Sequence, residues 1–266
     1  MLKDAKRIVV KAGTSTLTYG TGKMNVRRMR RLAEVLSDLQ NSGVQTAFVT
    51  SGAIGIGSVK LGFEERPCDT PGRQAAASVG QCELMFMYDK LFGEYDSVVG
   101  QLLITRSDIE NGERRRNLIN SFEKLFEYGV IPIINENDSV AVEEIVYGDN
   151  DNLSAHVAKL IKADALIILS DIDGLFTANP AEDENAVLIP VVECIDEEIL
   201  AAAGPSCSSF GTGGMSTKIS AAKLAVESGI DTVVMNGANP EDIYKLLDGG
   251  QVGTLFKSRG PKKGSF

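Results

Sequence analysis

Residues 210–218 read FGTGGMSTK. Three glycines, three hydroxyls (Thr212, Ser216, Thr217) and Lys218 make a stretch that could cradle phosphate. The pattern is not the Walker loop G-x-x-x-x-G-K-[ST], because the lysine here follows the threonine and precedes Ile219. A second lysine, Lys11, closes the apolar run RIVVK, where a buried ammonium group needs a partner. Two lysines could neutralise the phosphates of a nucleoside triphosphate, and Asp151 could hold their ammonium groups apart and aimed. Lys218 lies near the start of a predicted helix, whose dipole also favours an anion. Asp171 could assist the nucleotide or its Mg²⁺.

Residues so far apart in the chain need a frame. Arg7 to Val10 read as a short β-branched strand ending in KAGTST. A helix follows from an Asn25 cap through Met29, Leu32, Leu36 and Leu39, and stops before Gly43. QTAFVT reads as a buried strand closed by the turn SGAIGIG. Residues 73–92 are expected to be helical, with Leu84, Met87, Tyr88 and Leu91 on one side. SVVGQLLIT, VIPIIN, ALIILS and DTVVMN read as further strands. Residues 114–128, NLSAHVAKLIKA, 195–203 and STKISAAKLAVESG read as helices. Strands alternating with helices imply crossover connections. The fold class expected is α/β: a three-layer α/β/α sandwich with a mainly parallel central sheet.

In such sheets ligands sit beyond the carboxyl ends of the strands. After the first strand come Lys11, Gly13, Thr14 and Ser15. After the second come Ser51, Gly52 and Gly55. After VIPIIN come Glu136, Asn137 and Asp138, then Gly148, Asp149, Asn150 and Asp151. After ALIILS comes Asp171. Turns use glycine, Asn, Asp and Ser for their own reasons. Turn chemistry accounts less well for a lysine at the end of a buried strand.

Composition narrows the ligand class. The net charge is −9 and the pI is near 4.8, which argues against a nucleic-acid partner. No apolar run reaches the length of a membrane-spanning helix, so no membrane partner is expected. MLKDAKRIVV is too short and too charged to read as a signal peptide. Four scattered cysteines without a C-x-x-C pair, beside a single histidine, exclude a standard zinc site and suggest reduced thiols in the cytoplasm. No protein metal ligands are expected.

Six segments in order, KAGTS (11–15), VTSGAIGIG (49–57), INENDSV (134–140), GDNDNLSA (148–155), LSDIDGLFTANP (169–180) and GTGGMSTK (211–218), resemble the glutamate 5-kinase family, of the amino-acid kinase fold. The resemblance runs over nearly the whole chain. It implies ATP-dependent phosphorylation of the side-chain carboxylate of L-glutamate, the first step of proline biosynthesis, with Mg²⁺. It implies that Lys11 and Lys218 stabilise the transferring phosphoryl group and that Asp151 organises them. It makes Ser51, Gly52, Asp138 and Asn150 the glutamate-binding residues. It makes Lys11, Ser170, Asp171, Thr212, Gly213, Gly214, Met215, Ser216, Thr217 and Lys218 the nucleotide-binding residues. Asp138 could pair with the substrate ammonium, but which group meets which end stays open.

The same resemblance implies an amino-acid-binding lobe over about 1–160, a nucleotide-binding lobe over about 161–258 and a flexible tail at 259–266. The extra C-terminal PUA domain carried by many family members is not expected. A homo-oligomer, dimer or tetramer, is implied, as are inhibition by proline and functional coupling to glutamyl-phosphate reductase. An N-acetylglutamate kinase, or a non-catalytic nucleotide-binding regulator, would share the fold.

Overall fold

The computed structural model describes residues 2–140, 150–202, 214–258 and 260. In chain order the elements are β1 (Arg7–Ala12), α1 (Thr14–Leu17), α2 (Val26–Asn41), β2 (Gln45–Val49), α3 (Ala53–Lys60), α4 (Thr70–Gly93), β3 (Val99–Ile104), α5 (Arg106–Glu110), α6 (Gly112–Glu127), β4 (Ile131–Glu136), α7 (Asn150–Leu160), β5 (Ala165–Ser170), β6 (Val191–Val192), α8 (Glu197–Ala202), α9 (Met215–Glu227), β7 (Asp231–Asn236), α10 (Asp242–Leu247) and β8 (Thr254–Phe256).

The strands form one sheet in the order β3-β4-β2-β1-β5-β7-β8-β6. All neighbouring pairs are parallel except β7–β8, which is antiparallel. The chain winds outward from β1 in both directions, so the connections diverge there and open a crevice at the strand carboxyl ends.

Alternation along the strands builds two cores, one per face. Ile8, Val10, Phe48, Ile131, Ile133, Ile167 and Leu169 pack with Met29, Leu32 and Leu36 of α2, Leu84 and Tyr88 of α4, and Ile243 of α10. Val9, Ala47, Val49, Ile134, Leu166 and Ile168 pack with Phe122 of α6, Leu153 and Val157 of α7, and Ile219 and Ala222 of α9. The expected three-layer sandwich is therefore observed. The same period of two decides where polar side chains at strand ends emerge. Lys11, two residues after Val9, enters the α7/α9 layer. Thr50, two after Phe48, enters the α4 layer.

Three differences from the sequence reading have local causes. SGAIGIG is not only a turn: Gly52 takes a left-handed φ of 102° and caps α3, which then runs to Lys60. Gly55 and Gly57 are poor helix formers, but a Cβ at Gly57 would lie 1.8 Å from the Ala76 carbonyl oxygen and one at Gly80 1.8 Å from that of Ala53. Close approach of α3 to α4 thus demands both glycines. Helix α4 starts at Thr70 because the Asp69 side chain caps it, accepting from Gly72 N at 2.9 Å, with Pro71 in the first turn. Short pieces that carry little periodicity (α1, α5, β6, α10, β8) escape pattern reading altogether.

Candidate active site

Three elements meet at the crevice between β1 and the α7/α9 layer. Lys11 is the last but one residue of β1, Asp151 stands in the first turn of α7, and Lys218 stands in the first turn of α9. Lys11 Nζ lies 2.5 Å from Asp151 Oδ1, and Lys218 Nζ lies 3.1 Å from Asp151 Oδ2. One carboxylate therefore holds two ammonium groups, one on each oxygen. Asp151 is fully buried, and Lys11 and Lys218 are 3% and 6% exposed, so water screens this cluster little. Among the described residues it sets two ammonium groups against one carboxylate, a composition suited to an anion. The Thr217 hydroxyl lies 3.1 Å from Asp151 Oδ2 and 2.8 Å from the Gly214 carbonyl, tying the first turn of α9 to the carboxylate. Gly13 allows the backbone to pass Lys11, since a Cβ there would stand 3.3 Å from Nζ.

A second polar cluster begins one residue earlier on α7. Asn150 Nδ2 lies 2.7 Å from the Thr50 carbonyl, 2.8 Å from Ser51 Oγ and 2.8 Å from Asn135 Oδ1, three acceptors sharing its two N–H groups. Asn135 Oδ1 also accepts from Glu136 N at 2.9 Å, and Asn135 Nδ2 donates to Gln81 Oε1 of α4 at 2.9 Å. Beneath them the Thr50 and Tyr88 hydroxyls lie 2.5 Å apart in the core. Asp138 sits in the turn after β4, where burial pushes its carboxyl up to about 6 against the opposing pull of Arg73. Its neighbour Ser139 bonds Ser78 of α4 at 2.9 Å.

On the other side of β1, Ser170 ends β5 and is buried, and its hydroxyl donates to Asp171 Oδ1 at 3.1 Å. The Ser170 carbonyl accepts from Gly237 N at 2.8 Å, which joins the ends of β5 and β7. Gly214, Met215 and Ser216 open α9 and are half-buried. Thr212 and Gly213 lie outside the described residues.

The structure thus brings Lys11, Asp151, Thr217 and Lys218 into one bonded cluster, and Ser51 and Asn150 into an adjoining one. Asp138 has no described bond to either cluster. Sequence reading missed Thr50, Gln81, Tyr88 and Asn135. A signal existed for Asn135, an amide closing the apolar strand VIPIIN. Another existed for Gln81, which is three residues before Leu84 and seven before Tyr88 and so shares their buried face. His156, on α7, joins neither cluster, and burial holds its pKa below the usual value.

Residues 6–236 match the amino acid kinase family, and the chain belongs to that family. Within it, the chain is similar to glutamate 5-kinases. It is 52% identical over 262 residues to that of Listeria innocua, covering 97% of this chain and 95% of the relative. It is 51% identical over 255 residues to that of Clostridium acetobutylicum, covering 96% of each. A solved UMP kinase from Bacillus anthracis superposes with a TM-score of 0.66 at 17% identity over 96% of this chain and 97% of the other, a likeness of fold alone.

Proposed function

We propose that this enzyme transfers the γ-phosphoryl group of ATP to the side-chain carboxylate of L-glutamate, forming L-glutamyl 5-phosphate, the first step of proline biosynthesis. The observation that carries the reading is the buried Lys11–Asp151–Lys218 cluster at the strand carboxyl ends. Phosphoryl transfer is mostly positioning and charge neutralisation, with little covalent chemistry asked of the protein. Asp151 keeps both lysines in place between turnovers, and the arriving phosphates draw on their charge. The acceptor needs no general base, because a glutamate side chain with a pKa of about 4.3 is already ionised at neutral pH.

The lobes divide the labour. Residues 1–160 supply the amino-acid end and Lys11; residues 161–258 supply Ser170, Asp171 and the 212–218 segment to the nucleotide. The hydrogen bonds also orient the amino acid. All three acceptors of Asn150 surround its Nδ2, so its Oδ1 faces the other way and can accept from the substrate ammonium, with Asp138 as the charged partner. Ser51 Oγ stands 2.8 Å from Asn150 Nδ2, and its hydroxyl can donate to a carboxylate of the substrate. Mg²⁺ would enter with ATP, since Mg²⁺ keeps several waters and takes one or two carboxylates plus substrate phosphates; Asp171 is the carboxylate nearest that role.

Assembly into a dimer or tetramer, a cytoplasmic location and delivery of the labile acyl phosphate to glutamyl-phosphate reductase belong to the same proposal. Among the described residues no helix is long and apolar enough to cross a membrane. The test is MgATP-dependent acyl-phosphate formation, trapped with hydroxylamine, with L-glutamate and N-acetyl-L-glutamate side by side. Signal with glutamate alone is expected. Signal only with the acetylated compound overturns the roles of Asp138 and Asn150, and no signal with either overturns the reaction.

A further inference from the structure

Three neighbouring strands carry polar residues at their carboxyl ends on one side of the sheet. Val9, Ile168 and Val234 lie in the core shared with α7 and α9. With a period of two, Lys11, Ser170 and Asn236 emerge on that same side. Strands β1, β5 and β7 are adjacent and parallel, with Lys11 opposite Ile168, Ile168 opposite Val234, and Ser170 opposite Asn236. Asn236 therefore stands two strand spacings, about 10 Å, across the sheet from Lys11, and two residues, about 7 Å, further along it. A triphosphate spans that gap. A nucleotide whose γ-phosphate meets Lys11 and Lys218, and whose chain crosses Ser170, brings its sugar to the end of β7.

What waits there is a carboxylate held in one direction. Asn236 Oδ1 accepts from Ala238 N at 2.9 Å, a backbone donor that cannot turn over, so Asn236 Nδ2 is the end that faces Asp173. It donates to Asp173 Oδ1 at 2.8 Å. The other carboxylate oxygen, Oδ2, makes no hydrogen bond among the described residues, and Asp173 is exposed. The turn that carries Asp173 is anchored behind it as well: Leu175 N donates to Thr254 Oγ1 at 2.8 Å, and a Cβ on Gly174 would stand 2.6 Å from that oxygen. Asp171 is engaged elsewhere, accepting from Ser170 on β5. A carboxylate repels phosphate but accepts strongly from hydroxyl groups, as acidic residues do from ribose in other nucleotide folds. We propose that Asp173, steered by Asn236, binds the ribose hydroxyls of the nucleotide and so selects a ribonucleotide over its deoxy analogues. This rests on the reading of the β5/β7 end as the nucleotide end.

The test measures kcat/KM in the hydroxamate assay with ATP, 2′-deoxyATP and 3′-deoxyATP, each with Mg²⁺ and saturating L-glutamate. Wild type is expected to use at least one deoxy analogue roughly tenfold less well than ATP, the scale of one hydrogen bond to a charged group. Asp173→Ala should lower kcat/KM for ATP to the level of that analogue and bring the three nucleotides within about twofold of one another. Asp173→Asn keeps an acceptor for Asn236 but replaces the open oxygen by an amide nitrogen, which cannot accept a hydroxyl proton. D173N should therefore level the three nucleotides too, and it carries the comparison should D173A fail to fold. Both variants should leave KM for glutamate within about twofold of wild type, a split that general damage to the fold would not give. A wild-type enzyme that uses all three nucleotides equally, or a D173N enzyme that discriminates as wild type does, overturns the proposal. A wild-type enzyme that forms no acyl phosphate overturns the reaction reading instead. The ribose assignment is then read from thermal shifts with the same three nucleotides, which need no acceptor, and equal shifts overturn it.

Discussion

Replacing Asp151 by asparagine keeps the shape of the cluster and removes the carboxylate that both lysines touch. Lys11 and Lys218, 3% and 6% exposed, would then face a neutral amide where a carboxylate stood. Removing one partner of a buried ion pair costs about 3–5 kcal/mol. For a chain of this length each kcal/mol moves Tm by roughly 2–4 °C, so D151N should melt about 6–20 °C below wild type without ligand. MgATP brings the missing negative charge, so its thermal shift should be larger for D151N than for wild type. Turnover should nevertheless fall on the order of a hundredfold or more, because the lysines are no longer aimed at the point of transfer. Differential scanning fluorimetry with and without MgATP, alongside the hydroxamate assay, reads all three quantities. A D151N protein with wild-type Tm and wild-type kcat would refute the claim that this carboxylate holds the lysine pair.

Lys11→Ala and Lys218→Ala should each lower kcat about a hundredfold or more in the hydroxamate assay. Asp138, raised to about 6 by burial, should make glutamate binding depend on pH: KM rises as pH falls through about 6, where the carboxyl takes up a proton and loses its hold on the ammonium, and is flat above pH 7. The sign for folding is opposite: a carboxyl whose pKa rises on folding favours the folded state most at low pH, and that contribution is lost between about 4 and about 6 as pH increases. Arg73→Leu removes the opposing positive charge and should shift the KM rise to higher pH, seen in a pH series of initial rates. Gly57→Ala forces a methyl against the Ala76 carbonyl and should cost about 1–3 kcal/mol in urea unfolding, as overpacking does, with a higher KM for glutamate because α3 carries Ser51 and Gly52 at its start.

Much of this was legible in the chain. Helix α2 shows its cap and its apolar stripe: Asn25 accepts from Arg28 N, and Met29, Leu32, Leu36 and Leu39 are buried as their spacing requires. The strand runs RIVV, QTAFV, IPIIN, ALIILS and DTVVMN are apolar enough to read as central strands of a parallel sheet. Other pieces were illegible for definite reasons. Helix α3 is rich in glycine, and only the approach of Gly80 from α4 explains why glycine is tolerated there. Strand β8 is three residues long, and its antiparallel pairing to β7 leaves no trace in local pattern.

The sequence alone determined which residues could do chemistry and at which end of the sheet they would gather. Glycine, amide, carboxylate and lysine follow apolar strands because that is where a parallel sheet leaves backbone groups open to a ligand. Tertiary structure decided the pairing. Lys11, Asp151 and Lys218 are separated by 140 and 67 positions, and only the stacking of α7 and α9 on the face that Val9 shares with Lys11 sets one carboxylate between two ammonium groups. It decided the direction of the amides as well. The backbone N–H of Glu136 fixes the oxygen end of Asn135 and the Thr50 carbonyl fixes the nitrogen end of Asn150, and no local preference of these residues encodes that order.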